Sequence, residues 1–344
     1  MATFNPNDIG VANGNYFGLP YKIEESSLVL LPVTWDATVS YGKGAAEGPK
    51  AMLDASLQID LFDERIPEAW KKKIATHPFN EKIEALNRET GAVAGRVIKR
   101  LSQGEQTEAL RAEIEQVNRG SELLNDYVYS TTKEYLAKGR IVGVVGGEHS
   151  VPFGYIKALG ESYGSFGILH IDAHADLRCA YEGFEFSHAS IMYNVLEKIP
   201  QVSRITQVAV RDFCSDEYEI ICNDGRVTSF TDRRLHRELF CGNSWDSICN
   251  TIIETLPENV YISFDVDGLS AEYAPNTGTP VPGGLSFNHA DYLLERLSSN
   301  GKKIIGFDLC EVAPGAEGEW DANVGSRLLF KLSLYLFASL DNAR

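Results

Sequence analysis

The stretch Phe166-Gly-Ile-Leu-His-Ile-Asp-Ala-His-Ala-Asp176 turns from apolar to acidic within one strand length. Its first half, Phe166 to Ile171, is a short continuous apolar run, the pattern of a strand buried on both faces. Its second half sets Asp172, His174 and Asp176 at strict two-residue spacing, which folding alone does not require. Other apolar runs end in the same way: Ile141-Val-Gly-Val-Val145 leads to His149, and Val260-Tyr-Ile-Ser-Phe264 leads to Asp265 and Asp267. In a parallel α/β sheet all C-terminal strand ends open onto one rim, so these groups can converge. Four carboxylates and two imidazoles gathered there would repel one another unless cations neutralised them. The pattern therefore predicts a site for two divalent metal ions.

Further β-branched runs occur at Leu28-Val-Leu-Leu-Pro-Val33, Thr206-Gln-Val-Ala-Val210 and Lys303-Ile-Ile-Gly-Phe307, and helical stretches such as Ser247 to Leu256 and Asn288 to Ser298 lie between strands. Alternation of this kind predicts a doubly wound α/β fold on a parallel sheet. No Pro/Ser-rich linker interrupts it, so one large domain over 1–344 is expected, with residues 1–27 as an N-terminal extension. The interval 66–138 is rich in Glu, Lys, Leu and Ala and reads as a largely helical elaboration of two or three helices.

Composition narrows the partners. Asp and Glu outnumber Lys and Arg by 48 to 32, a net charge of −16, which disfavours nucleic acid and anionic membranes and suits a cationic substrate. Six cysteines are scattered without a C-x-x-C pair and read as reduced thiols of a cytoplasmic protein. The opening residues Met1 to Pro20 are polar and rich in Gly and Asn, not those of a signal peptide, and no apolar run approaches a membrane span.

Ligands limited to carboxylate and imidazole favour Mn²⁺, Ni²⁺, Co²⁺ or Zn²⁺ over a structural cysteine-zinc site. Two such ions about 3.5 Å apart can share a bridging water and lower its pKa to about 7, giving hydroxide at neutral pH. Hydrolysis at a carbon centre is the natural use. A single Asp or His is more often a helix cap or a satisfied buried group; such residues at the ends of three strands are not readily explained that way.

Gly146-Gly-Glu-His-Ser150, Asp172-Ala-His-Ala-Asp176, Ser263-Phe-Asp-Val-Asp267 and Asp308-Leu-Cys-Glu-Val-Ala-Pro314 resemble, in order, the signature blocks of the arginase/agmatinase (ureohydrolase) superfamily. Tyr41-Gly-Lys-Gly-Ala-Ala-Glu-Gly-Pro49 resembles its N-terminal substrate-side loop, and the likeness extends from about Leu28 to Leu334. The resemblance implies a three-layer α/β/α sandwich with a central, mostly parallel sheet, and a dinuclear site, usually Mn²⁺, that cleaves a guanidinium group to urea. By the same likeness His149, Asp172, Asp176 and Asp265 would hold one metal, and Asp172, His174, Asp265 and Asp267 the other. Glu311 would pair with the guanidinium, a planar cation best oriented by a planar anion. His188 would carry a proton to the departing amine, as an imidazole titrating near working pH can. His170, His77, His236 and His289 match no such position and read as packing or surface residues.

Several positions depart from the superfamily pattern. Asp267-Gly-Leu-Ser-Ala271 lacks a common supporting acid, Asn276 and Ala189 stand where Gly is usual, and Glu148 replaces a common Asp. None removes a ligand, but together they argue against a standard arginase. Trp320, in Ala313-Pro-Gly-Ala-Glu-Gly-Glu-Trp-Asp-Ala-Asn323, resembles the nickel-dependent guanidine hydrolase branch. At a pocket mouth its indole would shorten the cavity and offer a cation–π face; docking of the final helix, Val324 to Leu334, is the competing reading. Thr38 and Ser40 are expected to line the other wall. These features favour guanidine itself as substrate, with Ni²⁺ or Mn²⁺ as cofactor. The alternatives are an agmatinase-like or guanidino-acid hydrolase, and a non-catalytic subunit of a ureohydrolase assembly. A homotrimer or homohexamer is implied, and metal-delivery chaperones if the metal is nickel.

Overall fold

The computed structural model describes residues 4–316 and 319–342, so the start of the expected N-terminal extension and part of the segment between Glu311 and Trp320 lie outside the described residues. Eight strands form one sheet: β1 (Leu28–Pro32), β2 (Ile74–Thr76), β3 (Ile141–Val145), β4 (Phe166–Ile171), β5 (Val202–Val208), β6 (Val227–Phe230), β7 (Asn259–Asp265) and β8 (Lys303–Cys310). They lie in the order β2-β1-β3-β8-β7-β4-β5-β6, and every neighbouring pair is parallel.

The continuous apolar runs separate by parity. Leu28 and Leu30 of β1, Leu169 and Ile171 of β4, and Ile262 and Phe264 of β7 enter one core. Val29, Leu31, Phe166, Ile168 and Tyr261 enter the other. A sheet buried on both faces needs helices on both sides. The first core is covered by α1 (Gly48–Ala55), α8 (Trp245–Glu254), α9 (Phe287–Ser299) and α10 (Trp320–Asn342). The second is covered by α3 (Arg111–Ala137), α4 (Phe153–Ser162) and α5 (Ile191–Lys198). The result is the expected three-layer α/β/α arrangement; α2 (Glu81–Ser102), α6 (Ser215–Asn223) and α7 (Asp232–Phe240) complete the helices.

One strand boundary and two whole strands differ from the sequence reading. The run Thr206 to Val210 is not one strand, because Ala209 takes a positive φ of 76° and ends β5 at Val208 while remaining buried. β2 was hidden by its length of three residues. β6, Val-Thr-Ser-Phe, buries only its two ends and so lacks an apolar run. The interval 66–138 holds β2, α2 and α3. The two helices approach closely: a Cβ at Gly120 of α3 would lie 2.3 Å from Thr90 Oγ1 of α2. None of the described helices is long and apolar enough to cross a membrane.

Candidate metal centre

Four neighbouring strands in the middle of the sheet, β3, β8, β7 and β4, deliver the acids and imidazoles to one rim. Past β4, Asp172 is fully buried; its Oδ1 accepts the His174 backbone N–H at 2.6 Å. At the end of β7, Asp265 Oδ1 accepts the Asp267 N–H at 2.8 Å, and Asp267 Oδ1 accepts the Ala173 N–H at 3.0 Å, which staples the two strand ends together. Gly268 makes this approach possible, since a Cβ there would lie 2.8 Å from the Asp172 nitrogen. From β3 the His149 N–H donates to Glu311 Oε1 at 2.9 Å, and the Glu311 N–H donates to the Gly147 carbonyl at 2.7 Å. Asp176 and Glu311 hold positive φ angles of 54° and 63°. Backbone strain of that kind costs about 1–3 kcal/mol and persists where the surroundings over-determine it.

The side chains then close on one another. His149 Nδ1 lies 2.9 Å from Asp172 Oδ2, 3.1 Å from Asp176 Oδ2 and 3.4 Å from Asp265 Oδ2. His174 Nδ1 lies 3.1 Å from Asp267 Oδ2 and 3.5 Å from Asp172 Oδ1. All six residues singled out in the sequence therefore meet, and Asp172 belongs to two donor sets, one with His149, His170 and Asp176 and one with His174 and Asp267. The electrostatics are those of an acid cluster without enough positive charge. Burial and then the neighbouring Asp172 push Asp176 up to about 6. Burial, with Asp267, Asp172 and Glu311 nearby, raises Asp265 well above the carboxylate range, and burial with Glu148 does the same to Glu311. Burial opposes charging His174, but Asp267 and Asp172 outweigh it and push the imidazole up to about 12. Oδ2 of Asp308 is buried without a hydrogen bond, and Oδ2 of Asp267 has only its ionic contact with His174. Excess buried anion with orphaned carboxylate oxygens is the arrangement divalent cations satisfy, so the residues fit a metal centre. Cys310 lies in a third set with His149 and Asp308, and burial pushes its thiol up.

Beside the cluster is a cavity of about 170 Å³ lined by Ser40, His174, Asp176, His188, Asp212 and Thr279, with Arg178, Tyr181 and Glu217 among its other walls. A larger groove of about 730 Å³, between residues 65–72 and the C-terminal parts of α9 and α10, shares no residue with the cluster. Its cations Arg65, Lys71 and Lys72 are each paired with an acid. His188 keeps a buried Nδ1 without a partner; burial and the nearby His174 lower its pKa to about 4, so the ring is neutral at pH 7.

Other expectations need correcting. Thr38 does not line the cavity: it is fully buried, its hydroxyl donates to Glu148 Oε1 at 2.7 Å and accepts the His188 N–H at 3.2 Å. Glu148 is a buried hub that also accepts from Trp35 Nε1, Thr38 N and Ser150 Oγ at 2.7–3.0 Å. Trp320 is 52% exposed at the start of α10 and donates Nε1 to the Glu272 carbonyl at 2.8 Å. It is neither a cavity wall nor a core residue, because the adjacent Asp321 is the buried anchor, accepting from Asn276 N and Nδ2 at 2.9 and 2.8 Å. His170, read as a packing residue, belongs to the centre, with Nε2 2.8 Å from Asp172 Oδ2. Its place two residues before Asp172 on a strand, hence on the same face, was the available signal.

The central strand ends of this parallel sheet thus gather buried carboxylates and imidazoles into a candidate metal centre. The arginase-family model matches residues 26–334. The N(1)-aminopropylagmatine ureohydrolase of Thermus thermophilus is 33% identical over 87% of this chain and 86% of its own. The agmatinase of Bacillus subtilis is 29% identical over 63% of this chain and 69% of its own. The solved agmatine ureohydrolase of Thermoplasma volcanium superposes with a TM-score of 0.72 over 95% of each chain at 22% identity, a likeness of fold. The chain belongs to the arginase family, the binuclear metal-dependent ureohydrolases.

Proposed function

We propose that the chain releases urea from a guanidino compound carrying an amine-bearing chain, of the agmatine type, rather than from guanidine itself. The observation that carries this reading is the cavity beside the metal centre, which offers more room than a bare guanidinium fills and has the exposed carboxylate of Asp212 in its wall. The names of the relatives point the same way, and the indole expected to shorten the cavity does not line it.

His149, Asp172, Asp176 and Asp265 would hold one ion, and Asp172, His174, Asp265 and Asp267 the other. A donor set of four carboxylates and two imidazoles suits Mn²⁺, with Ni²⁺ the competing ion. Divalent cations held there supply Lewis acidity and acidify a bound water to about pKa 7. Glu311, fixed by its contact with the His149 N–H and buried rather than in the cavity wall, would pair with the planar guanidinium. His188, whose Nδ1 has no partner, would carry a proton to the leaving nitrogen. The buried floor of the site limits bulk water.

The test is urea release from guanidine, methylguanidine, agmatine, guanidinobutyrate and arginine, with protein reconstituted separately with Mn²⁺ and Ni²⁺. Agmatine should give the highest kcat/KM; a preference for guanidine overturns the reading.

A further inference from the structure

The loop from Arg178 to His188 carries a tight turn that the proposed chemistry leaves unexplained. Tyr181 and Phe184 exchange both backbone hydrogen bonds, at 3.2 and 2.8 Å, and the two residues between them, Glu182 and Gly183, have positive φ angles of 56° and 84°. Glycine takes such a conformation freely, but for Glu182 it is uncommon and must be held by something outside the turn. The holder is the α2–α3 pair. Phe184 is fully buried in a small separate core with Val97 of α2 and Ile114 and Val117 of α3. Asn118 of α3 straddles the turn, accepting the Glu185 N–H at 2.9 Å and donating to the Gly183 carbonyl at 3.4 Å. The fit is close, since a Cβ at Gly183 would lie 2.7 Å from Ile114 Cδ1.

The other end of the turn faces the chemistry. Tyr181 lines the cavity, and its ring meets that of His188 edge-on, with centroids 5.9 Å apart and planes at 89°. The Arg178 guanidinium lies 4.9 Å from the same ring. Edge-to-face aromatic contacts are worth about 0.5–1.5 kcal/mol and fix relative ring orientation. His188 has few other restraints: its backbone N–H reaches Thr38, while its Nδ1 has no partner.

We infer that Tyr181 is a positioning residue for His188, and that α2 and α3 serve the site through it by seating Phe184 so that the turn presents the phenol ring to the imidazole. This rests on the reading that His188 moves the proton. It gives the helical interval 66–138 a part in the reaction rather than a remote structural one.

The experiment uses the full chain reconstituted with Mn²⁺ and agmatine as substrate. Tyr181→Leu should lower kcat about tenfold with KM changed by less than about twofold and metal content intact, the split expected of a lost transition-state geometry. Tyr181→Phe, which keeps the ring, should stay within about twofold of the parent. In a His188→Ala background Tyr181→Leu should cause no further loss, because both changes act on the same imidazole. Asn118→Ala should reproduce the kcat loss from a distance; it removes two hydrogen bonds without opening a large cavity, so it answers the question even if Phe184→Ala does not fold. An additive loss in the double variant, or full activity in Tyr181→Leu while His188→Ala is crippled, overturns the inference and leaves the shuttle reading standing. Full activity in His188→Ala overturns both.

Discussion

His170 Nε2 lies 2.8 Å from Oδ2 of Asp172, two residues further along the chain. Gln207 Nε2 faces the other ring nitrogen of His170 at 3.2 Å and also donates to the Ala175 carbonyl at 2.7 Å. With Nδ1 accepting, Nε2 carries the proton and donates to Asp172, leaving that carboxylate oriented and anionic. Partners that orient a ligand in this way are worth about 10–100-fold in metal affinity. His170→Phe should therefore weaken Mn²⁺ binding by about that factor while leaving the fold intact, as titration calorimetry on the metal-free protein can measure; unchanged affinity refutes the role.

Asp265 is assigned to both ions. Asp265→Asn should abolish urea release and reduce the metal retained per chain, because losing one buried carboxylate unbalances both sites at once. Elemental analysis showing two retained metals, with turnover near that of the parent, would contradict the assignment. Chelation of the parent protein should lower its Tm, and added Mn²⁺ should restore it, since an ion bound only by the folded state stabilises that state.

Thr38 is a structural link between Glu148 and His188. Thr38→Val keeps the shape but leaves buried hydrogen-bonding groups unpaired, at a cost of about 1–3 kcal/mol. The variant should show a lower unfolding midpoint and a reduced kcat, with KM for agmatine little changed. A raised KM at unchanged stability would return Thr38 to the cavity wall.

Glu182 supplies a pH test away from the metals. Half-buried and with Oε2 unpartnered, it has its pKa pushed up to about 7 by burial. A carboxyl raised on folding contributes stability below its unfolded pKa and loses that contribution as pH rises through the folded value. Glu182→Gln should therefore raise Tm relative to the parent at pH 8, with the gain fading toward pH 5. An equal shift at both pH values would show that the charge is not the cause.

Trp320 tests the substrate reading by an expected lack of effect. Its indole is half exposed and tied to the Glu272 carbonyl, so Trp320→Ala should leave the ratio of kcat/KM for agmatine and guanidine within about twofold. A swing toward longer substrates would revive the short-cavity idea.

The sequence by itself determined the six longer strands of the sheet and most of the acids and imidazoles at its rim. Apolar strand runs ending in His149, Asp172 and Asp265 are local patterns, and a parallel sheet sends every C-terminal strand end to the same edge. The two-residue spacing of Asp172, His174 and Asp176 is legible too, although the three lie in the loop just past β4, where the fold rather than strand register turns them inward. What only the tertiary structure decided was which side chains beyond those runs reach the rim. His170 and Trp320 were misplaced because a side chain's partners depend on contacts between distant segments: Gln207 and Asp172 for the first, Glu272 and the buried Asp321 beside it for the second. Thr38 looked like a cavity hydroxyl until Glu148, 110 positions away in the chain, claimed it. The turn at Tyr181 to Phe184 depends on a small core built by α2 and α3, whose sequence showed helices but not what their apolar faces would grip. Secondary structure follows from nearest neighbours and periodicity; hydrogen-bond and packing partners are chosen only when the fold closes.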